Sequence, residues 1–316
     1  MATKKPSNQR PNAARPPARG ARGGRPAGLF TWLAVGLVVV VVAALVIIKV
    51  ASGSGTPSTD SSTWQAASPT TVAQLTSVPA SVFNAVGTTS PIAQVTPPQV
   101  PLKKLPLLTA TDANGKTVPE VLYMGAEYCP YCAAQRWSTI IALSRFGKFS
   151  GLGNMSSYSG DVYPNTPTFT FLKAKYTSSY VVFKTVELYT NYLNAAKSFY
   201  ATLQKPTTQE EMEITKYDTD KYITGLTAST AGSIPFLSFG NKYLVSGSSY
   251  SPTTLAGSTR AEIAAALDNP TSPVTQAIIA SANYQTAAIC SLTKGQPGNV
   301  CSSSGVMAAA KAMSIK

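Results

Sequence analysis

Hydrophobic positions form one uninterrupted run early in the chain, residues 29–48, which contains no charged side chain. Twenty helical residues rise about 30 Å, the thickness of a bilayer's hydrocarbon core. The preceding residues 1–28 carry basic but no acidic side chains, and positive charge favours the cytoplasmic side. The pattern predicts one uncleaved transmembrane helix, with the N-terminus in the cytoplasm and the rest of the chain outside. A cleavable signal peptide is the alternative, although its apolar core is usually only about 7–15 residues long.

The flanks of this run differ in composition. The basic tail contains Arg-Gly pairs, which leaves nucleic-acid binding as an alternative to a disordered topology signal that touches anionic lipid. We expect the topology signal and no nucleic-acid partner. Residues 49–71 are rich in Ser, Thr, Pro and Gly, which predicts a flexible linker. From Val72 onward spaced apolar positions return, so we expect one extracytoplasmic domain over residues 72–316.

Within this domain two hydrophobic periods alternate along the chain. β-branched and aromatic runs predict strands at 118–124, 168–175, 181–190, 236–239 and 242–246. Stripes with helical spacing predict helices at 129–144, 208–216, 259–267 and 273–292. Thr207 and Glu210 fit a capping box at the start of the second helix. This order of strands and helices indicates an α/β fold.

Composition narrows the chemistry that the domain can perform. The chain has no histidine, which excludes Ser-His-Asp and Cys-His catalysis and every metal site built on imidazole. Charged residues make up 12% of the sequence, about half the usual share. No pair of acidic residues stands out as a hydrolytic centre. The four cysteines are therefore the strongest candidates for chemistry.

Cys129-Pro-Tyr-Cys132 follows a predicted strand and opens a predicted helix. Free N–H groups and the helix dipole stabilise a thiolate at a helix N-terminus. Cys132 lies one turn further on, within disulfide reach of Cys129, and Pro130 suits the first turn because it has no N–H to leave unpaired. The motif predicts a dithiol that can switch to a disulfide, although structural disulfides and zinc knuckles share the same spacing.

Cys290 and Cys301 are the remaining pair, separated by a loop that contains glycine and proline. We expect a structural disulfide that holds the C-terminus, and a second redox pair is the alternative. A four-cysteine zinc site would use every cysteine of the chain, so we expect no metal.

Pro235 precedes the strand predicted at 236–239 and gives the second candidate element. The combination of a CxxC motif after a core strand and an Ile-Pro strand start about 100 residues later resembles the thioredoxin superfamily. That resemblance implies a thioredoxin-like fold with insertions, in which Pro235 is cis and packs beside Cys129. It also implies that Ile234 pairs with a substrate backbone, and we expect Pro130 and Tyr131 to contact substrate too. An ordinary edge-strand proline is the alternative.

Three longer segments indicate a particular family within this resemblance. They resemble a prokaryotic, membrane-anchored family known as domain of unknown function 929. They are YMGAEYCPYCAAQRWSTIIALSRFGK from Tyr123, VYPNTPTFTFLKAKY from Val162 and IPFLSFGNKY from Ile234.

The chain departs from thioredoxin at one position near the motif. Thioredoxins carry a buried Asp six positions before the first cysteine, where this chain has Tyr123. Two charged residues remain as candidates to tune the thiol pKa values. Glu127 lies in the turn before the motif and is expected to be exposed. Arg136 could favour the Cys132 thiolate or lie solvated on an outer helix face.

These observations predict a membrane-anchored extracytoplasmic thiol–disulfide oxidoreductase that needs no bound cofactor. Its expected partners are the lipid bilayer, secreted or membrane proteins with thiols or disulfides, and a membrane electron carrier. The alternative is a non-catalytic thioredoxin-like binding or structural module with two permanent disulfides.

Overall fold

The computed structural model describes residues 64–91 and 94–315. The basic tail, the transmembrane helix predicted at 29–48 and the first part of the linker therefore lie outside the described residues. Among the residues that are described, no helix is both long and apolar enough to cross a membrane.

The described part of the chain mixes helices and strands, as the sequence predicts. The helices are α1 Pro69–Thr76, α2 Ala80–Val86, α3 Pro130–Ser144, α4 Thr208–Met212, α5 Arg260–Ala266, α6 Pro273–Leu292, α7 Gly298–Cys301 and α8 Ser304–Ala312. The strands are β1 Thr109–Thr111, β2 Thr117–Gly125, β3 Lys148–Ser150, β4 Gly153–Ser156, β5 Pro167–Thr170, β6 Lys175–Thr177, β7 Val182–Glu187, β8 Tyr189–Leu193, β9 Tyr200–Thr202, β10 Phe236–Phe239 and β11 Tyr243–Ser246. A π-helical turn, Glu213–Tyr217, continues α4, and a 3₁₀ turn, Pro252–Leu255, precedes α5.

The main sheet has the order β7–β2–β10–β11, and β1 pairs with the start of β2. Strand β7 runs parallel to β2, whereas β10 is antiparallel to both β2 and β11. Three further antiparallel pairs, β3 with β6, β4 with β5 and β8 with β9, lie outside this sheet. Helix α3 therefore leaves the end of the central strand β2.

Both faces of β2 are buried, and alternate residues enter two separate cores. Val121 and Tyr123 join the larger core, which contains α3 and α6. Leu122 and Met124 join a smaller core with residues of β10 and the π-helical turn. Alternate side chains of a strand point to opposite faces, so helices cover one face and an irregular segment covers the other.

Most of the predicted elements are confirmed, but one is divided and two are shorter than their sequence pattern. The strand predicted at 181–190 is interrupted at Leu188 and is divided between β7 and β8, which lie in different sheets. The strand predicted at 168–175 ends at Thr170, because the chain turns there and Ala174 donates its N–H to the Phe171 carbonyl. The helix predicted at 208–216 remains α-helical only to Met212. Its capping box of Thr207 and Glu210 is confirmed, and the wider π turn that follows buries three side chains.

The predicted boundary between linker and domain at residue 72 is wrong. It falls inside α1, and the Ala67 N–H donates to the Leu152 carbonyl at 2.9 Å. The Asn154 N–H donates to the Gln65 carbonyl at 2.8 Å, so residues before α1 pair with the domain. Backbone hydrogen bonds form whatever the side chains are, so composition alone does not distinguish this ordered segment from a linker.

Candidate functional site

Cys129 lies at the junction of the central strand and α3, where it is the N-cap of the helix. Its Sγ accepts a hydrogen bond from the Cys132 N–H at 3.2 Å, which satisfies one of the free donors of the first turn. Pro130 is the first helical residue, as its missing N–H favours. Cys129 and Cys132 are both free thiols, in the arrangement that the motif predicts.

Ile234 and Pro235 lie directly against Cys129, although about 100 residues separate them along the chain. The Ile234–Pro235 peptide bond is cis, and the Cys129 thiol donates to the Ile234 carbonyl at 3.8 Å. Strand β10 begins immediately afterwards, and its Phe236 is paired with Met124 of β2. Sheet pairing thus brings the proline loop to the edge from which α3 starts.

The environment separates the pKa values of the two thiols. Burial raises the pKa of Cys129, but hydrogen bonds from the Cys132 thiol and N–H, together with the charge of Arg136, outweigh burial and lower it below 9.0. Burial, followed by the hydrogen bond and charge of Cys129, raises the pKa of Cys132 well above its ordinary value. Cys129 is therefore the thiol that ionises more readily, and Cys132 is the thiol that holds its proton more tightly.

Arg136 forms a fully buried ion pair with Glu187 at the end of β7. Its Nε donates to Glu187 Oε1 at 3.0 Å, and one Nη donates to Oε2 at 2.6 Å. The same Nη donates to the Ala126 carbonyl at 2.9 Å. The alternative of a solvated arginine is wrong, because the acidic partner lies 51 positions along the chain and the helix face is covered. Its charge helps to lower the pKa of Cys129 and only partly opposes the rise in the pKa of Cys132.

Glu127 is buried, which corrects the expectation of an exposed turn residue. Its Oε1 accepts a 2.6 Å hydrogen bond from the Thr170 hydroxyl, so β5 closes over the turn. Burial and the nearby charge of Glu187 raise the pKa of the Glu127 carboxyl to about 7, while Thr170 and Arg136 oppose the shift. Glu127 is thus a second buried acid close to Arg136.

Tyr123, six positions before Cys129, is fully buried and its ring extends along β2. A Cβ on Gly125 would lie within 3 Å of the Tyr123 ring and hydroxyl, so the glycine leaves room for this side chain. The Arg136 guanidinium lies 5.6 Å from the ring centre. Among the described residues the Tyr123 hydroxyl has no hydrogen-bond partner. Burial keeps its pKa well above 10.0, so it is a neutral group beneath the thiols.

Aromatic side chains surround the two cysteines, and only 5% of Cys129 is exposed. Tyr128 and Tyr189 pack on the cysteine cluster, and Tyr200 stacks on Tyr128 with ring centres 3.9 Å apart. Tyr131 is the exposed member of the motif and contacts Tyr163 edge-on at 5.7 Å. A cavity of about 350 Å³ opens beside Tyr131 and is lined by Gln94, Thr96, Tyr131, Tyr163 and residues 248–251. Its lining side chains are uncharged and mostly carry hydroxyls.

Cys290 and Cys301 form the expected disulfide, which joins α6 to α7. This bond uses two of the four thiols, so the alternative of a four-cysteine zinc site is not realised. Within residues 64–91 and 94–315, no group of three or more His, Cys, Asp or Glu side chains is placed to hold a metal ion.

Residues 107–291 match the model of a family described as a domain of unknown function, DUF929. The match spans more than half of the chain. The chain belongs to the DUF929 family. No curated protein and no solved structure matches it. The DUF929 segment includes both free cysteines and the Ile234–Pro235 loop, whereas Cys301 lies beyond it.

Several residues of this DUF929 site have weak signals in the sequence. Glu187 lies near the end of a predicted strand, where the sequence pattern gives it no special role. It would be recognised only from the fact that a buried Arg136 requires an acidic partner. Tyr189 and Tyr200 belong to the β8–β9 hairpin, whose pairing contains an irregularity between Tyr189 and Leu193. Their approach to Cys129 depends on tertiary contacts that periodicity does not reveal.

Proposed function

We propose that this protein is a thiol–disulfide oxidoreductase whose active dithiol is Cys129 and Cys132. The observation that carries the proposal is the position of Cys129 Sγ. It caps the start of α3, accepts the Cys132 N–H and contacts the Ile234 carbonyl before cis Pro235. The Cys132 N–H and the helix start favour a thiolate at Cys129, and the partner thiol lies one helical turn away.

A thioredoxin-like fold with insertions is part of the same proposal. The resemblance implies a CxxC motif after a core strand and a cis proline that packs beside it at the start of another strand. The cis bond, its contact with Cys129 and the pairing of β10 with β2 support that inference. The β3–β6, β4–β5 and β8–β9 pairs would be the insertions.

The chemistry follows from the different pKa values of the two thiols. The Cys129 thiolate attacks one sulfur of a substrate disulfide, forms a mixed disulfide, and the other substrate sulfur leaves as a thiolate that takes up a proton. Cys132 then loses its proton to solvent and attacks Cys129 Sγ. This releases the second substrate thiol and leaves a Cys129–Cys132 disulfide. The substrate gains two electrons that the dithiol loses, and the reverse sequence oxidises a substrate dithiol.

The substrate would lie across the exposed side of the motif. Tyr131 and the neighbouring cavity offer an uncharged surface on one side of Cys129, and the β8–β9 aromatic residues cover the other. We infer that Ile234 holds the substrate backbone. Anchored by the helix predicted at 29–48, the domain would act outside the cytoplasm on secreted or membrane proteins and exchange electrons with a membrane carrier. The mechanism needs no bound cofactor.

A non-catalytic binding module is the second candidate, and the burial of Cys129 favours it. A thiol with only 5% exposure reaches a bulky substrate poorly unless the surrounding tyrosines move. In this case the aromatic surface would bind a partner without thiol exchange.

Trapping of a mixed disulfide separates the two candidates. The whole chain with Cys132→Ser is incubated with a short synthetic peptide that contains one disulfide, and the products are identified by mass after alkylation. We expect one peptide bound to Cys129, because the resolving thiol is absent. Cys129→Ser is the matched control and should trap nothing. A folded Cys132→Ser variant that captures no peptide would refute the oxidoreductase proposal.

A further inference from the structure

Exposed hydrophobic side chains are concentrated in one short segment, residues 100–107. Val100, Leu102 and Leu107 are 62%, 58% and 66% exposed. They are three of the eight exposed large hydrophobic residues in the described part of the chain, and they lie within eight positions. Single exposed hydrophobic residues are common on proteins, but a group of this kind marks an interaction surface.

The backbone holds this segment at the domain surface and prevents it from turning inward. Gln99 and Leu244 exchange two 2.8 Å hydrogen bonds, and the Leu102 N–H donates to the Tyr222 carbonyl at 2.9 Å. Between the exposed residues, Leu105 is buried in the smaller core, as is Leu108 just beyond the segment. The exposed side chains are therefore presented outward by a fixed backbone.

Positive charge accompanies these apolar side chains. A cavity of about 450 Å³ lies along the segment, and nine residues line it. Three of them are lysines, namely Lys103, Lys104 and Lys242, and none is acidic. Lysine side chains cover apolar surface with their methylene stems while the ammonium group reaches outward.

We propose that residues 100–107, together with Lys242, bind the surface of an anionic lipid bilayer. Val100, Leu102 and Leu107 would enter the boundary between headgroups and acyl chains, and Lys103, Lys104 and Lys242 would contact the phosphates. The absence of acidic side chains from the cavity lining suits an anionic partner. This proposal does not depend on redox activity at Cys129.

Depth-dependent fluorescence quenching in the whole chain tests the proposal. Leu107→Trp and the control Met307→Trp are each reconstituted with vesicles of phosphatidylcholine containing phosphatidylglycerol, with a bromine label on the acyl chains. Met307 is also an exposed hydrophobic residue, but it lies on α8 outside the basic segment. Subtraction of the parent chain's signal removes the contribution of the native tryptophans. We expect at least about twofold stronger quenching at position 107, because an interfacial side chain lies about 5–10 Å deep.

Neutral variants then test the role of charge. The double variant Lys103→Gln with Lys104→Gln should lower the equilibrium constant for contact between the segment and the lipid about 25-fold, which is about fivefold for each lysine near an anionic surface. Vesicles of pure phosphatidylcholine should also lower this constant, because they carry no net negative charge. Equal quenching at positions 107 and 307 would overturn the proposal. So would a blue-shifted position-107 emission that lipid bromine does not quench, because a protein partner or a second copy would then cover the segment.

Discussion

Arg136 of α3 and Glu187 at the end of β7 form a buried two-point ion pair. Both side chains are fully buried, and the Arg136 guanidinium also holds the Ala126 carbonyl in the turn before the motif. The pair therefore connects the end of β7 to the turn and α3. The positive charge of Arg136 helps to lower the pKa of Cys129 and opposes the rise in the pKa of Cys132. The hydrogen bonds of the pair hold the backbone that carries the two thiols.

Arg136→Met should lower the free energy of unfolding by about 3–5 kcal/mol, because it leaves the Glu187 carboxylate buried without a counter-charge. Urea denaturation of the whole chain measures the change. Lys205→Met, which removes an exposed charge, is the control and should alter stability by no more than about 0.5 kcal/mol. A loss for Arg136→Met as small as that of the control would show that the ion pair does not stabilise the fold.

The same substitution should raise the pKa of Cys129, since a positive charge that favours the thiolate is removed. The pH dependence of alkylation, followed by mass on the Cys129 peptide, measures this shift. Arg136→Lys keeps a positive charge and should return the pKa most of the way toward that of the parent chain. An unchanged Cys129 pKa in a folded Arg136→Met variant would contradict the assigned electrostatic role.

Glu127→Gln should change how stability depends on pH. The folded state raises the Glu127 pKa from 4.5 to about 7, so folding favours the protonated carboxyl and the unfolded chain binds fewer protons in this range. Stability due to this group is present below pH 4.5 and is lost as the pH rises toward 7. Relative to the parent chain, Glu127→Gln should gain stability over this interval, by at most about 3 kcal/mol at about 1.4 kcal/mol per pKa unit.

Denaturation of both chains across that pH interval isolates the Glu127 contribution. Glu213 and Asp218 also have raised pKa values and titrate in the same region. Both residues are present in the parent and in the variant, so their contributions to the pH dependence cancel to first order when the two stabilities are subtracted. A stability difference that does not vary with pH would mean that Glu127 keeps an ordinary pKa in the folded protein.

Replacing both Cys290 and Cys301 by serine should destabilise the domain by about 2–3 kcal/mol, since the disulfide closes a short loop. Thermal or urea unfolding measures this loss. The redox equilibrium of Cys129 and Cys132 should not change, because the second pair is expected to be structural. A shifted equilibrium would instead favour electron exchange between the two cysteine pairs.

The sequence predicted the features that depend on residues close together in the chain, such as helix starts and helix caps. The cysteine spacing and Pro130 predicted a helix start at Cys129, and Thr207 with Glu210 predicted a cap that the structure contains. The contact between Ile234 and Cys129 was predicted from the family resemblance, because no local sequence pattern indicates a contact between residues 105 positions apart.

Long-range contacts account for what the sequence did not reveal. Glu127 looks like an exposed turn residue until β5 brings Thr170 over it. Arg136 reads as a solvated helix residue until β7 places Glu187 opposite its guanidinium. Burial of a charged side chain depends on the partner that the fold supplies, and single-sequence periodicity does not identify that partner.

Cys129 and Cys132 should form a reversible dithiol in the folded protein. The decisive measurement is the redox equilibrium of this pair in the whole chain, with the Cys290–Cys301 disulfide intact. The protein is equilibrated in glutathione or dithiothreitol buffers of graded ratio, and the mass shift after alkylation gives the oxidised fraction. Our account predicts reversible two-electron titration at an intermediate potential while the domain remains folded. A Cys129–Cys132 disulfide that resists reduction until the domain unfolds, or a pair that never forms a disulfide, would contradict it.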